Sequence, residues 1–234
     1  MTEKIRSWSF SRLMDFEACP YKAKLKIIDK IPEPERELPP GKTEHANDRG
    51  SRIHLECELF VQDKGPMPVE MKHFEAELKS LRDHFRKGRV SLEGEWGFNK
   101  DWQPVDWKMA WLRVKLDVCT TLTPQHVAVI DYKTGKRFGN EIKHGEQLQM
   151  YALSVFLRYP QVEHVTAELW YPDVNDLASL DIVRPVGMRF LKPFDKRGRK
   201  MTECTEFKPN PNMHSCKYCP YHPARGTGDC QYGV

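Results

Sequence analysis

The stretch HVAVIDYKT, residues 126–134, is an apolar run that ends on an aspartate and a lysine two positions apart, Asp131 and Lys133. In a strand, residues i and i+2 project from one face, so Val127, Val129, Asp131 and Lys133 share one side and Ala128, Ile130 and Tyr132 the other. The acid and the base therefore leave the apolar strand together, into one site. Just upstream, WKMAWLRVKLDVCT (107–120) alternates like a strand, and the turn-rich TLTPQ (121–125) joins the two as antiparallel neighbours.

Further outward, RVSLEGEWGF (89–98), VEHVTAELWYP (162–172) and SLDIVRPV (179–186) also read as strands. GEQLQMYALSVFLRYP (145–160) reads as a helix ended by Pro160, and a short basic helix is predicted around residues 187–200. The N-terminal part has helical period. WSFSRLMDFEACPYKAKLKII (8–28) offers Ser9 or Ser11 as N-cap and Phe10, Leu13, Met14 and Ile27 as buried positions, and Pro20 divides it. After the Pro- and Glu-rich PEPERELPPGK (32–42) come NDRGSRIHLECELFVQ (47–62) and PVEMKHFEAELKSLRDHFRK (68–87), with Phe74, Leu78, Leu81 and Phe85 on one face. Helices before and after a block of strands predict an α/β fold, a central mixed sheet flanked by helices. The 234 residues then form one domain: a helical part at 1–88, a sheet core at 89–186, and a basic helix with a cysteine-rich tail at 187–234.

Composition, 39% hydrophobic and 30% charged, is that of a globular protein. Apolar runs fall short of the roughly 18–20 residues of a spanning helix, and MTEKIRSWSFSR holds no signal-peptide core, so a cytoplasmic protein without membrane contact is expected. The net charge of +4 is unevenly placed: from Arg184 onward ten Lys/Arg stand against four Asp/Glu. The densest part, FLKPFDKRGRK (190–200), offers Lys192, Lys196, Arg197, Arg199 and Lys200 as phosphate contacts, or else as a solvated face.

Seven cysteines without a secretion signal point to metal or thiol chemistry rather than disulfides. Three stand near the end in CKYCPYHPARGTGDC (Cys216, Cys219, Cys230) and one near the start (Cys19), whereas Cys57, Cys119 and Cys204 read as small core residues. The Cys-x2-Cys pair is a metal signal by itself, because two thiolates on a tight turn can bind one ion. Trp96, Trp102, Trp107 and Trp111 bunch beside the strands and read as core, with an exposed one able to stack on a base.

If the strands at 107–120 and 126–134 pair, Asp117 approaches Asp131 and Lys133. Two converging carboxylates repel unless a cation neutralises them, and hard oxygen ligands suit Mg2+ or Mn2+. A lysine beside such an ion is placed to orient or deprotonate a water, or to stabilise charge on a phosphate, with a phosphodiester as target.

Asp117 followed at fourteen residues by DYK resembles the PD-(D/E)XK nuclease signature. GSRIH (Gly50, His54), QLQMY (Gln147, Tyr151) and SFSRLMDFEACP narrow the resemblance to its RecB-like branch, across residues 9–230. The resemblance implies a restriction-endonuclease-like core with His54, Asp117, Asp131 and the Tyr132 carbonyl as metal ligands and Lys133 as the catalytic lysine. It places Gln147 and Tyr151, one helical turn apart, on a face that meets the site. It also implies a [4Fe-4S] cluster on Cys19, Cys216, Cys219 and Cys230, as in AddB-type, CRISPR-adaptation and phage stand-alone nucleases. Zinc on Cys216, Cys219, Cys230 and either Cys19 or His222 is the alternative. Two departures are Lys115, where glycine is frequent, and the ten residues between Cys219 and Cys230.

The implied function is metal-dependent exonuclease digestion of single-stranded or duplex DNA ends in repair, recombination or phage DNA processing. Two alternatives are a DNA-binding or recombination-partner protein with a structural metal staple, and an endonuclease of the same fold. A recombination or helicase partner and a ring-forming oligomer are compatible with either. Singly, each motif has a bland reading: a DxK triplet as a solvated strand exit, His54 as a hydrogen-bonded helix residue. Their order and spacing together carry the reading.

Overall fold

The computed structural model describes residues 3–35, 37–38, 40–135 and 139–234. Arg36 and Pro39 of the Pro/Glu-rich loop lie outside them. Among the described residues six strands form one mixed sheet: β1 (Val90–Phe98), β2 (Pro104–Val105), β3 (Leu112–Thr123), β4 (His126–Tyr132), β5 (His164–Tyr171) and β6 (Asp176–Val183), in the order β2-β1-β3-β4-β5-β6. β3 and β4 pair antiparallel as expected, and β4 and β5 pair in parallel, as a connection through a helix requires. That helix is α5 (Glu141–Arg158), which begins a turn earlier than the apolar period suggested.

Pro20 divides the first helix into α1 (Phe10–Ala18) and α2 (Pro20–Ile27), and the Ser9 hydroxyl caps α1 by accepting from Arg12 N. Of the expected core positions, Phe10 and Leu13 are buried, while Met14 and Ile27 pack partly buried against the core. α3 (Ala46–Val61) matches its expected span. The next segment opens as a 3-10 helix at Val69–Phe74 before becoming α4 (Glu75–Arg86). Trp107–Met109 is likewise a 3-10 turn, so β3 is shorter at its start than its alternation implied. The basic segment divides into α6 (Arg184–Gly187), a 3-10 turn and α7 (Leu191–Thr202), and α8 (Met213–Lys217) lies in the tail.

Two cores sandwich the sheet. The larger packs α1, α5 and α7 against Val127, Val129, Val165 and Ala167, and the smaller packs α3 and α4 against Val118, Ile130, Tyr132 and Trp170. Strand alternation thus sends odd and even residues of β4 into different cores. β3 departs from it, since Leu112, Val114 and Leu116 lie in the larger core, Val118 in the smaller and Cys119 in the larger again. The facing reverses at Asp117. Opposite that point Glu93 of β1 has a left-handed backbone (φ 46°), a conformation a non-glycine residue holds only when its surroundings impose it.

Trp8, Trp102 and Trp111 meet edge to face, and α7 fits against them because Gly198 has no Cβ to strike the Trp8 ring. Trp96 is also core, and Trp107 is half-buried. A third, small cluster of Leu25, Tyr221 and Cys230 joins α2 to the tail. Among the described residues no helix is long and apolar enough to cross a membrane.

Candidate active site

Continuing the β3–β4 register one step past Val118–Ile130 places Asp117 opposite Asp131. Asp117 Oδ2 accepts the Tyr132 amide at 2.7 Å, which holds the carboxylate against the end of β4. Asp131 is 5% exposed, and its Oδ2 lies 2.6 Å from Lys133 Nζ. That contact is an ion pair without hydrogen-bond alignment, so Oδ2 is a buried acceptor with no aligned donor. Oδ1 accepts from the Tyr151 hydroxyl at 2.5 Å, and Gln147 Nε2 donates to that hydroxyl at 2.6 Å. The two polar residues one turn apart on α5 therefore orient the carboxylate, with Gln147 acting through Tyr151.

From the other core, α3 delivers His54. Its Nε2 lies 2.8 Å from the Tyr132 carbonyl, which only accepts, so Nε2 carries the proton and Nδ1 faces Asp117 Oδ1 at 3.2 Å. Gly50, one turn earlier, lets α3 come this close, since a Cβ there would stand 3.0 Å from Thr134 Oγ1. Arg49 grips Asp173 through two bonds of 3.0 and 2.7 Å, and Asp173 accepts from Gly135 N at 2.7 Å, bracing the exit of β4.

Glu93 is the residue the sequence did not announce. Its carboxylate, one nitrogen of His54 and a carboxylate oxygen of Asp117 all lie within 4.8 Å of one another. No motif marks Glu93, and only the left-handed turn of β1 aims it inward.

The charges conflict. Burial, and then the charge of Asp117, push the Asp131 carboxyl up, with Lys133 and Tyr151 opposing. Burial and Asp117 raise Glu93 in the same way. Burial works against a charged His54, yet the hydrogen bond and charge of Asp117, with Asp131 behind them, outweigh it and hold the imidazole above its ordinary range. The Asp131 and Glu93 carboxyls, both pushed up by burial and by the charge of Asp117, fit a hard divalent cation, and His54 would offer Nδ1 once its proton there is displaced.

Two clefts meet at Asp117. One, of about 650 Å³, is lined by His54, Glu58 and Glu93 and is acidic apart from Lys115 at its edge. The other, of about 510 Å³, opens on Asp131 and Lys133 between Arg12, Arg113 and Lys143. Arg113 stacks over Trp107 there, 5.1 Å from the ring centre. Lys115, at the frequent glycine position, does not crowd the site. It is exposed, 3.9 Å from Glu93 and 3.7 Å from Glu95, and borders both clefts. Lys192, Lys196, Arg197, Arg199 and Lys200 line neither. Arg197 pairs with Glu17 of α1 and Glu146 of α5 and so fastens α7 to both, while Arg199 pairs with Asp195 within α7 and donates to the Lys100 carbonyl.

Cys19, Cys216, Cys219 and Cys230 line one cavity of about 180 Å³. Among the described residues, no three of these sulfurs lie within 4.8 Å of one another. His222, offered as a zinc ligand, already has Nδ1 within 3.0 Å of Ala224 N and Nε2 within 2.7 Å of Arg225 Nη2. Cys57 and Cys119 are buried, with burial pushing the Cys119 thiol up to about 12, while Cys204 is half-buried and donates to Glu206 O.

A mixed sheet that brings two carboxylates, a lysine and a histidine together where two clefts meet is the layout of a metal-dependent phosphodiester hydrolase. The profile of the PD-(D/E)XK nuclease superfamily matches residues 7–224, and the chain belongs to that superfamily. Among solved structures, the chain is similar to SSO0001, at 16% identity and a TM-score of 0.51, over 100% of this chain and 90% of that one. It is also similar to a Eubacterium rectale protein named as an exonuclease, at 15% identity and a TM-score of 0.51, over 92% and 87% of the two chains. These likenesses show the fold. No curated protein matches the chain.

Proposed function

We propose that the protein is a Mg2+- or Mn2+-dependent deoxyribonuclease of the RecB-like branch that digests DNA from free ends. The observation that carries this is the cleft itself: Asp117, Asp131 and Lys133 open onto a groove whose other charges are Arg12, Arg113, Lys115 and Lys143. A module that only bound DNA would gain nothing from crowding two acids beside a phosphate.

Asp117, Asp131, His54 through Nδ1 and Glu93 would hold the ion, with the Tyr132 carbonyl beside them. When bound, the ion supplies a Lewis acid that lowers the pKa of water and neutralises phosphate charge. Lys133 Nζ, held by Asp131, orients or deprotonates the attacking water and meets the negative charge that develops on the phosphate. Tyr151 and Gln147 fix the Asp131 carboxylate. Arg12, Arg113 and Lys143 hold backbone phosphates, and the half-buried Trp107 provides a face on which a single-stranded base stacks.

We further propose that Cys19, Cys216, Cys219 and Cys230 hold a [4Fe-4S] cluster. Each thiolate of such a cluster binds a different iron, so sulfurs spread around one cavity suit it better than they suit a single zinc ion.

The test is digestion of end-labelled linear and circular single-stranded DNA by anaerobically purified protein, with Mg2+, Mn2+ or EDTA, alongside the visible absorption spectrum. Metal-dependent loss of the linear strand alone by a brown protein is expected. A cut circle replaces the exonuclease reading with an endonuclease, and two intact substrates overturn the nuclease reading. A colourless anaerobic protein overturns the cluster.

A further inference from the structure

At the far end of β4 a second set of ligands stands apart from the carboxylates. The parallel register of β4 and β5 pairs His126 with His164 at the starts of both strands, five residues and roughly 17 Å of strand from Asp131. The two imidazoles stack, with ring centres 4.1 Å apart and planes 22° from parallel. In the adjoining row of the sheet, Thr166 of β5 pairs with Asp181 of β6, and the Thr166 hydroxyl donates to Asp181 Oδ1 at 2.6 Å. His126 Nε2 lies 2.8 Å from the same hydroxyl, and His164 Nε2 lies 3.7 Å from Asp181 Oδ1. One ring nitrogen of each histidine and one oxygen of Asp181 thus fall within 4.8 Å of one another.

We infer that His126, His164 and Asp181 form a site for a divalent transition metal, Zn2+ first, that ties β4, β5 and β6 together. The donor set decides the class of ion. Two imidazole nitrogens and one carboxylate suit Zn2+ and its borderline neighbours, whereas Mg2+ requires an oxygen shell. Three protein ligands leave a coordination position for water. The backbone supplies the preorganisation, because register alone sets the two histidines side by side, and the Thr166 bond fixes the carboxylate as outer ligands do in metal sites. Both histidines are half-buried and Asp181 is exposed, so the ligands are reachable from solvent without opening the core. The active-site cluster is of the opposite kind, with more oxygen donors and one imidazole, so the two ends of the same sheet favour different ions. The inference does not depend on the nuclease reading.

The test is a Zn2+ titration of the full chain labelled with 15N in its histidine rings, followed by NMR. The ring signals of His126 and His164 are expected to move together and saturate with the same stoichiometry, and a large excess of Mg2+ is expected to leave them in place. In His164→Ala the His126 response disappears, and in the milder Asp181→Asn, whose exposed side chain is safe for folding, half-saturation needs at least about 10-fold more Zn2+. Ring signals that stay still while those of His54 respond, or a His126 response unchanged in either variant, overturn the site.

Discussion

The carboxylate site and the cysteine cavity are built in opposite ways. Asp117, Asp131 and Lys133 are placed by β-sheet register, on strands buried from both sides, and hydrogen bonds from Tyr132 N and Tyr151 Oη fix the carboxylates before any ion arrives. The cysteines come from the junction of α1 and α2 and from a loop-rich tail some 200 residues later, and their local core is only Leu25, Tyr221 and Cys230 with a few partly buried neighbours. Register can hold like charges together against their repulsion, because the rest of the sheet fixes the backbone. A loop cavity has no such frame, so the proposed cluster would have to supply the closure. An ion at the first site would relieve a conflict, and the proposed cluster at the second would make a connection.

Lys133→Ala is the sharpest cut through this contrast. It should lower kcat on linear DNA by about 10³-fold while leaving the visible spectrum of the anaerobically purified protein in place. Activity within a few-fold of wild type would remove Lys133 from the chemistry. Cys19→Ser should do the reverse. Anaerobically purified protein should lose its colour and unfold at a temperature lower by roughly 6–12 °C, corresponding to about 3 kcal/mol, as measured by circular dichroism. An unchanged spectrum would show that the cavity needs no fourth thiolate.

Glu93→Gln probes the proposed ligand that lies outside every motif. The Mg2+ concentration for half-maximal activity should rise about 10- to 100-fold, with kcat at saturating metal far less affected. In wild type that concentration should fall as pH rises through the elevated pKa of His54, because the ion needs the neutral imidazole and displaces its proton. A Mg2+ requirement independent of pH across that range would separate His54 from the ion.

The smallest effect is the most counter-intuitive. Asp131 is raised in the folded protein, so its contribution to stability is present below the unfolded carboxylate pKa and is lost as pH rises through the folded value. Asp131→Asn should therefore abolish the activity seen with Mg2+, yet in EDTA at neutral pH it should raise the unfolding temperature by about 2–4 °C, or about 1 kcal/mol. The gain should shrink on acidification, where the native carboxyl is already neutral. A lowered unfolding temperature would mean that the Lys133 and Tyr151 contacts outweigh the burial of charge.

Much of this was legible along the chain. Period-two and helical patterns located β1, β4, β5, α3 and α5, and Pro20 marked the break between α1 and α2, because these signals are local and depend on side-chain facing alone. The 3-10 turns at Val69–Phe74 and Trp107–Met109 were not legible, since a short apolar period does not distinguish a tight turn from the element that follows it. Charge density offered residues 190–200 as phosphate contacts or a solvated face, but density along the chain does not show who the partners are. Arg197 and Arg199 meet acids from Glu17, Glu146 and Asp195, while the scattered Arg12, Arg113 and Lys143 converge on the cleft.

By itself the sequence determined the order of elements, the superfamily and the spacing of the acid, acid and lysine, because those follow from local pattern and from residue types whose chemistry needs no neighbour to be recognised. Only the tertiary structure decided that Glu93 joins His54 and Asp117, that Lys115 stands clear, and that His126 meets His164 and Asp181. Each of these depends on a backbone turn or a strand pairing between distant segments, and such pairings are set by the packing of the whole sheet rather than by any stretch within it.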